Sequence, residues 1–524
     1  MADQINQAID IVIPWMEYEN DGNDDDDEHM EKIISLSDCK GNGRPLYQIT
    51  RKKYFEIIRQ QLQANNRILF IAYNTYAYYS CEKNELQQKV HEHMTRPGIY
   101  RLIMELNDTN QHHIEEVLNK MDNEITTKLN LLFDDKLISH AQWQKLSMYR
   151  LNTRLNTLYF LPDTRRDHVP FHPMIYDRHH LTMNITRFLT RLLQPIYDDV
   201  TFSTTCNRGT DVIHVVEEYA RKGRLQANTL FATLRIDNLS TLISHEKILE
   251  KLQHFLHTYL FDGKMEGITV PTILDLLQLV LENQYLLYEK KIYQQTQGCG
   301  DNSPLTMLIV NIYLYYWQQD LMTILNNKKE IFARCFDELF FTWNESEQSL
   351  HDILHTMNRQ NPQIQIILSM SNNINYLDVN ISHMDGDLKT QVAHQLNIDS
   401  YSLPYVFGHP RKKIHTLFRA ALLRATRCYA KVSDFATELQ RIQSSFQYNR
   451  FSHDFIMYKI ISFFEEFDVF QMKVHYGEKF YDQRLYDHLR RKVFKYQRQE
   501  KAEKIKRRRQ ILKHRYRHSL NQPR

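Results

Sequence analysis

With 524 residues, 42% of them hydrophobic and 25% charged, the chain has the composition of a soluble globular protein and material for roughly two to four domains. Its 13 glycines and 13 prolines stand against 31 tyrosines, and Cys39, Cys81, Cys206, Cys299, Cys335 and Cys428 form no CxxC pair. This excludes a loop-rich, disulfide-stapled or zinc-ribbon protein and implies a reducing compartment, while a net charge of +3 hides an acidic run after Asp21 and a basic one after Arg490.

Residues 1–45, with "DGNDDDDEHMEK", read as an acidic flexible leader, and no signal peptide is expected because Asp3 precedes the first apolar run. Residues 46–150 read as a helical N-terminal region, since the apolar positions of "IEEVLNKMDNEITTKLNLLFDDKLI" recur every three or four residues. "NTLYFLPDTRRDHVPFHPMIYD" is rich in β-formers and proline and reads as strands and turns, followed by an amphipathic helix at "ITRFLTRLLQPI". "TLFATLRIDNL" (229–239) is β-like. "HEKILEKLQHFLHTYL" (245–260) is a helix with Ile248, Leu252, Phe255 and Tyr259 on one face, and a second helix is expected over about 272–289.

Ser303 and Pro304 suit the N-cap and first helical position of an apolar helix. Its stretch "LTMLIVNIYLYYW" (305–317) is broken by Thr306 and Asn311 and falls short of the roughly 20 residues that cross a membrane. A buried helix and an intracellular protein with no membrane partner are therefore expected. "IFARCFDELFFTW" (331–343) then sets Asp337 and Glu338 side by side in an apolar run that reads as strand, turn, strand. Such a carboxylate pair is exposed at the turn, matched by a cation, or holding a metal. "IQIILSM" and "INYLDVNISHMDGDLKTQVA" read as further strands, so the whole is α+β.

The helical pattern of 411–428 puts Ile414, Leu417, Phe418, Ala421, Leu422 and Ala425 on one stripe, with Lys412, Arg419 and Arg427 opposite. That face is either simply solvated or tracks a phosphate backbone. From residue 489 the chain reads as a basic tail carrying Phe494, Tyr496 and Tyr516, aromatics able to stack on bases, and "KIKRRR" (504–509) with Lys506, Arg507, Arg508 and Arg509. The tail is either solvated, a nucleic-acid contact, or a nuclear-import signal. His112–His113 and His179–His180 lack metal-ligand spacing and read as surface or packing residues.

In this order the pieces resemble a reverse transcriptase, and their wording is closest to the Penelope-like retroelement branch. "LYFLP" with "HPMI" is similar to that family's fingers motif and "FATLRIDNLSTLISHEKIL" to its first palm motif. "YQQTQGCGDNSPLTMLIVNIYL" resembles its glutamine and glycine turn, and "RCFDELFFTW" stands where it carries paired catalytic aspartates. "NYLDVNI" with "GDLKTQV" is similar to the later palm strands, and "GHPRKKIHTLFRAALLRATRC" to the segment entering the thumb. The resemblance implies a right-hand polymerase fold: fingers and palm over 151–390, a mainly helical thumb over 391–488 and the basic tail over 489–524. It implies RNA, DNA or an RNA–DNA hybrid as partner.

It also implies a site in which three palm carboxylates hold two Mg²⁺ ions. Asp337 matches the first aspartate of the pair and Glu338 replaces the second. Arg235 stands where the metal-bridging aspartate belongs, and a guanidinium supplies no ligand. Asp237 is the only nearby substitute, two residues and roughly 6.6 Å along the strand. Ser240 occupies the sugar gate, Asp301 and Asn302 alter the glycine turn, while Gln295, Gly298, Ser303 and Pro304 remain. Asp163 and His172 replace a lysine and an arginine of the fingers, where Arg166 keeps one phosphate-binding cation.

The expectation is a reverse-transcriptase-like protein, lacking the family's GIY-YIG endonuclease, that has lost polymerase activity and still binds RNA or DNA. Arg235 would then neutralise Asp337 and Glu338, or be turned to solvent by drift. The rivals are an active RNA-directed DNA polymerase, with Mg²⁺ on Asp337, Glu338 and Asp237, and an interaction scaffold or decaying element copy.

Overall fold

The computed structural model describes residues 58–520, apart from residues 59, 74–77, 107–111, 149, 151–152, 165–167, 177–178, 238, 261, 301–302, 360–363, 395–410, 449–450 and 470–481. The acidic leader lies outside the described residues. So do the side chains of residues 78, 112, 176, 237–240, 304, 411–414, 508–509 and 511–520. The chain divides into two compact units. One comprises residues up to His93 with Leu161–His172 and Leu403–Ile414; the other comprises Met94–Phe160, Pro173–Ser402 and His415–Arg524.

In the first unit, β1 (Arg67–Ile71) and β2 (Tyr78–Glu82) pair antiparallel and lead into the helix Lys83–Met94. Lys89 Nζ donates to the carbonyls of His168 and Val169 at 2.9 and 3.0 Å and lies over the Phe171 ring. Phe70 and Tyr79 pack edge-on against that same ring, giving this unit its aromatic core.

The second unit is built on a four-stranded antiparallel sheet. Its strands are β6 (Leu230–Asp237), β11 (Phe332–Cys335), β12 (Glu338–Trp343) and β13 (Gln365–Ser371), in the order β11-β12-β6-β13. Strand alternation divides its side chains cleanly. Ala232, Leu234, Ile236, Leu339, Phe341 and Trp343 join the main core, with residues from helices Met183–Val200, His245–Tyr259, Val270–Glu282 and Pro304–Trp317. Phe231 and Phe340 face the other way. They meet His383 and Tyr376 of a three-stranded sheet, β14 (Asn373–Tyr376), β15 (Val379–Met384) and β16 (Asp387–Val392), at ring separations of 5.3 Å each.

A five-stranded sheet runs β3 (Tyr100–Glu105), β10 (Lys291–Gln295), β9 (Tyr285–Tyr288), β4 (Asn156–Pro162), β5 (Phe171–Tyr176). A short hairpin joins β7 (Lys264–Met265) to β8 (Ile268–Thr269).

The α+β class agrees with the sequence, as do β6, the helix over 245–259 and the carboxylate hairpin. Four expectations need correction. Residues 46–150 are not simply helical, because the β-forming runs "RILFI", "YYSCE" and "YRLIME" are strands β1 to β3. The helix expected to reach 289 ends at Glu282, where the buried Asn283 side chain turns back to the Leu279 carbonyl at 3.0 Å. Tyr285–Tyr288 then form β9 instead. The long apolar helix breaks at the fully buried Gln318 into Pro304–Trp317 and Gln319–Asn327, and Ser303 at its N-cap makes no capping side-chain bond.

The fourth concerns the boundary at 489, which falls inside one helix, Gln483–Leu520. Its first half is packed: Tyr486, Leu489, Val493 and Phe494 are buried. Tyr486 Oη donates to the Tyr429 carbonyl at 2.7 Å, Arg490 pairs with Glu217 at 2.5 Å, and Gln497 donates to Asp211 at 2.6 Å. Helices Arg411–Cys428, Val432–Tyr448 and His453–Glu466 complete the mainly helical C-terminal part. No helix among the described residues is long and apolar enough to cross a membrane.

Candidate active site at the carboxylate hairpin

β11 and β12 are joined by a two-residue turn, Phe336–Asp337, with Cys335 directly opposite Glu338. Phe336 has φ +52°, a left-handed conformation that costs a bulky residue energy and that tight hairpin turns demand. Arg334 holds the turn from the core side. Its guanidinium is 1% exposed and donates to the Phe336 carbonyl at 2.7 Å, to Asn311 Oδ1 at 2.6 Å and to Tyr197 Oη at 2.6 Å. All three acceptors are neutral, and among the described residues no ion pair to Arg334 forms. Asn311, a polar break in the apolar helix, is thereby explained. So is Thr306, whose hydroxyl donates to the Gly300 carbonyl at 2.7 Å.

The ladder between β12 and β6 sets Arg235 directly opposite Glu338. Directly opposed residues project from the same face, with Cβ atoms about 5 Å apart. The Ile236 amide donates to the Asp337 carbonyl at 3.0 Å, which fixes the turn against β6 one residue further. Arg235, Asp337 and Glu338 are all half-buried. The carboxylate pair and the arginine are therefore neighbours in register, an adjacency that the sequence motifs could place only by analogy. Asp237 is in register with Gln365 on β13, away from the ladder that joins Arg235 to Glu338, and its side chain lies outside the described residues.

A second cluster lies beside the hairpin. Cys206 Sγ and the Tyr376 hydroxyl are 3.2 Å apart, and that hydroxyl donates to the Glu338 carbonyl at 3.2 Å. The Cys206 thiol is shifted down by hydrogen bonds from Cys335 and Tyr376, against the opposing effect of burial. The Cys335 thiol is shifted up by its bond to Cys206, by burial, and by repulsion from Cys206, Glu338 and Asp337. Sequence reasoning missed Arg334, Cys206 and Tyr376. Only Arg334 left a signal: strand alternation sets it in line with Phe332 on a core-facing side, where a charge is out of place.

Donor chemistry decides whether two divalent ions suit this site. Hard cations need several oxygen ligands, and here Glu338, with Asp337 beside it in the turn, stands opposite an arginine in the ladder. Among the described residues no three His, Cys, Asp or Glu side chains are grouped to hold a metal. The described residues do not fit a pair of Mg²⁺ ions.

The other expected residues are scattered. Gln295 is 1% exposed, with its amide nitrogen donating to the Gln297 carbonyl, so it is not a surface contact for nucleic acid. Gly298 adopts φ +67°; its amide binds the Ile243 carbonyl, and its own carbonyl accepts from Gln284. This turn is satisfied internally.

Arg166 and the side chain of Lys412 lie outside the described residues. In the first unit, Asp163 is fully buried with its carboxylate 3.4 Å from His172 Nε2, and Tyr73 stacks on that imidazole. The two departures from the fingers pattern are thus a matched pair.

Arg419 is engaged by Glu466 and lies over the Tyr496 ring. Arg427 is 2% exposed, which corrects its assignment to a solvent-facing, phosphate-tracking surface. Phe494, buried and packed on His214, is likewise a core aromatic and not a base-stacking one, while Tyr496 is half-buried and packed on Phe467. Lys506 and Arg507 are exposed on the distal half of the last helix, with Arg507 4.0 Å from Glu503. Arg508 and Arg509 side chains lie outside the described residues.

No protein-family model and no curated protein matches the chain. Among solved structures it is similar to telomerase from Candida albicans in complex with a fragment of telomeric RNA, at TM-score 0.47 and 9% identity, covering 79% of this chain and 68% of that one. An apo telomerase of Candida tropicalis truncated from its C-terminal domain gives 0.36 and 10%, covering 45% and 55%. The chain thus spans about half the length of that structure. The Sicinivirus 3Dpol RNA-dependent RNA polymerase gives 0.38 and 8%, covering 59% and 68%.

Proposed function

We propose that this chain is a reverse-transcriptase-like protein of right-hand polymerase architecture, of the Penelope-like type. Its polymerase site is disabled and its remaining activity is binding of RNA or DNA. The observation that carries the reading is the register of Arg235 with Glu338, beside Asp337. A polymerase needs anionic oxygens there to hold its ions, and this chain sets a cation among them.

Arg235 in this reading does locally what a metal would otherwise do for the hairpin. It offsets the repulsion between two adjacent carboxylates without a divalent ion. Binding is supported by the last helix, where Lys504, Lys506 and Arg507 are exposed while the preceding turns are anchored in the fold. A fixed base carrying a projecting cationic helix suits a phosphate backbone, and it recognises charge without reading sequence. The same "KIKRRR" run supports a nuclear location.

Primer extension on an RNA template with Mg²⁺ or Mn²⁺ tests the first half, and none is expected. Metal-dependent extension by the unaltered chain, abolished by Asp337→Asn, would overturn the loss of activity. Titration of duplex and single-stranded RNA and DNA over a salt series tests the second half. Removing residues 502–524 should weaken binding to all of them and flatten the log–log salt dependence. Binding no tighter than that of an equally charged peptide leaves the scaffold alternative.

A further inference from the structure

The thiol pair beside the carboxylate hairpin has no part in the proposed function. Thr205 and Arg334 form a parallel bridge: the Arg334 amide donates to the Thr204 carbonyl and the Cys206 amide to the Arg334 carbonyl, both at 2.9 Å. One residue further along both segments, Cys206 and Cys335 are neighbours across that bridge. Adjacent extended segments lie about 4.8 Å apart. That spacing falls within the roughly 4.4–6.8 Å between Cα atoms that a disulfide accepts. Cys206 Sγ also lies 3.2 Å from the hydroxyl of Tyr376, which in turn bonds the carbonyl of Glu338, the residue directly opposite Cys335.

We propose that Cys206 and Cys335 are an oxidation site, closed to a reversible disulfide by a hydroperoxide. The bond would tie the segment before helix Thr210–Arg221 to the base of the Phe336–Asp337 turn. Cys206 is the sulfur that attacks. The Tyr376 hydroxyl can turn its proton from the Glu338 carbonyl to a thiolate at Cys206 and so ease loss of the Cys206 proton, whereas a thiolate at Cys335 would face Glu338 and Asp337.

In the first step the Cys206 thiolate takes an oxygen from the peroxide. Its O–O bond breaks, a sulfenic acid forms, and the leaving hydroxide or alkoxide collects the proton released by Cys206. In the second step the Cys335 sulfur attacks the Cys206 sulfur. The S–S bond forms, the S–O bond breaks, and the departing hydroxide takes the Cys335 proton to leave as water. Two thiols are oxidised and one peroxide is reduced. Cys206 is buried like Cys299 and Cys428, but its neighbour Cys335 is half-buried, so the pair is open to a small oxidant on that side. The inference stands on backbone register and contact, and it holds whether or not the chain binds nucleic acid.

The test uses the full chain, reduced and then exposed to hydrogen peroxide. Remaining thiols are alkylated after unfolding, and tryptic peptides are analysed without reductant. Cys206 lies in peptide 192–208 and Cys335 in peptide 335–359, each the only cysteine in its peptide. The expected product is these two peptides joined, two hydrogens lighter than their sum and separated again by dithiothreitol. Cys206→Ser and Cys335→Ser should each abolish it, whereas Cys428→Ser should not, and Tyr376→Phe should slow its formation several-fold. Full alkylation of both Cys206 and Cys335 after oxidation, or joining of either to a different cysteine, would overturn the proposal.

Discussion

Replacing Arg235 by aspartate tests whether the hairpin, relieved of its cation, holds a divalent ion. In the native ladder a cation faces Glu338, and the variant would set a carboxylate there, beside Asp337. Two unit charges about 5 Å apart at an effective dielectric of about 20 interact by about 3 kcal/mol. Exchanging attraction for repulsion could approach twice that, but all three residues are half-buried and solvent screening removes much of it. A net loss of about 3 kcal/mol is expected. At roughly 2 °C per kcal/mol for a large domain, a thermal melt should fall by about 6 °C in metal-free buffer.

Millimolar Mg²⁺ should then restore part of this loss in Arg235→Asp, because ligand binding to the folded state adds stability. It should leave the unaltered chain unchanged. Arg235→Leu, which removes the cation without adding an anion, should fall between the two. An Arg235→Asp protein melting at the native temperature in metal-free buffer would refute the idea that Arg235 offsets the carboxylates. A native chain stabilised by Mg²⁺ as strongly as the variant would refute the argument that its donors do not suit the ion.

Arg334→Met should cost about 3 kcal/mol in urea denaturation, since it leaves the Phe336 carbonyl and Asn311 Oδ1 buried without the guanidinium that binds them. Unchanged stability would mean that desolvating the guanidinium already cancels those bonds. Gly209→Ala should cost a similar amount, about 1–3 kcal/mol, because the added Cβ would meet Asp378 Oδ1 and the Tyr376 carbonyl at 2.7 Å. The Gly209 amide also donates to that carboxylate, so a relaxed backbone loses a second contact.

His180 is fully buried and held neutral, its imidazole pushed by burial down to about 4. The unfolded chain takes up this proton near pH 6.5 and the folded chain only near 4, so stability is lost as pH falls through that window. The size is about 3 kcal/mol. His180→Gln should flatten that part of the pH–stability curve, and an unaltered acid limb would contradict the assignment.

The four-stranded sheet was legible because its signals are local. Alternation in "TLFATLRIDNL" and "IFARCFDELFFTW" sets the faces of β6 and β12, and a period near 3.6 sets the helix over 245–259. Each reports burial on one side of a single element. The carboxylate pair was legible for the same reason: two adjacent acids in an apolar run need an explanation wherever the chain goes.

What the sequence left open was every relation between elements distant in the chain. That Arg235 stands opposite Glu338 depends on a register between strands about a hundred residues apart, and a slip of one residue would turn Glu338 to the opposite face. Arg427 and Phe494 carry the same composition whether they face a phosphate or a core, and docking of the last helix onto the fold decided for the core. Cys206 and Cys335 had no mutual pattern at all. They became a pair because an isolated bridge brings two extended segments together, an outcome of tertiary packing to which local propensity is blind.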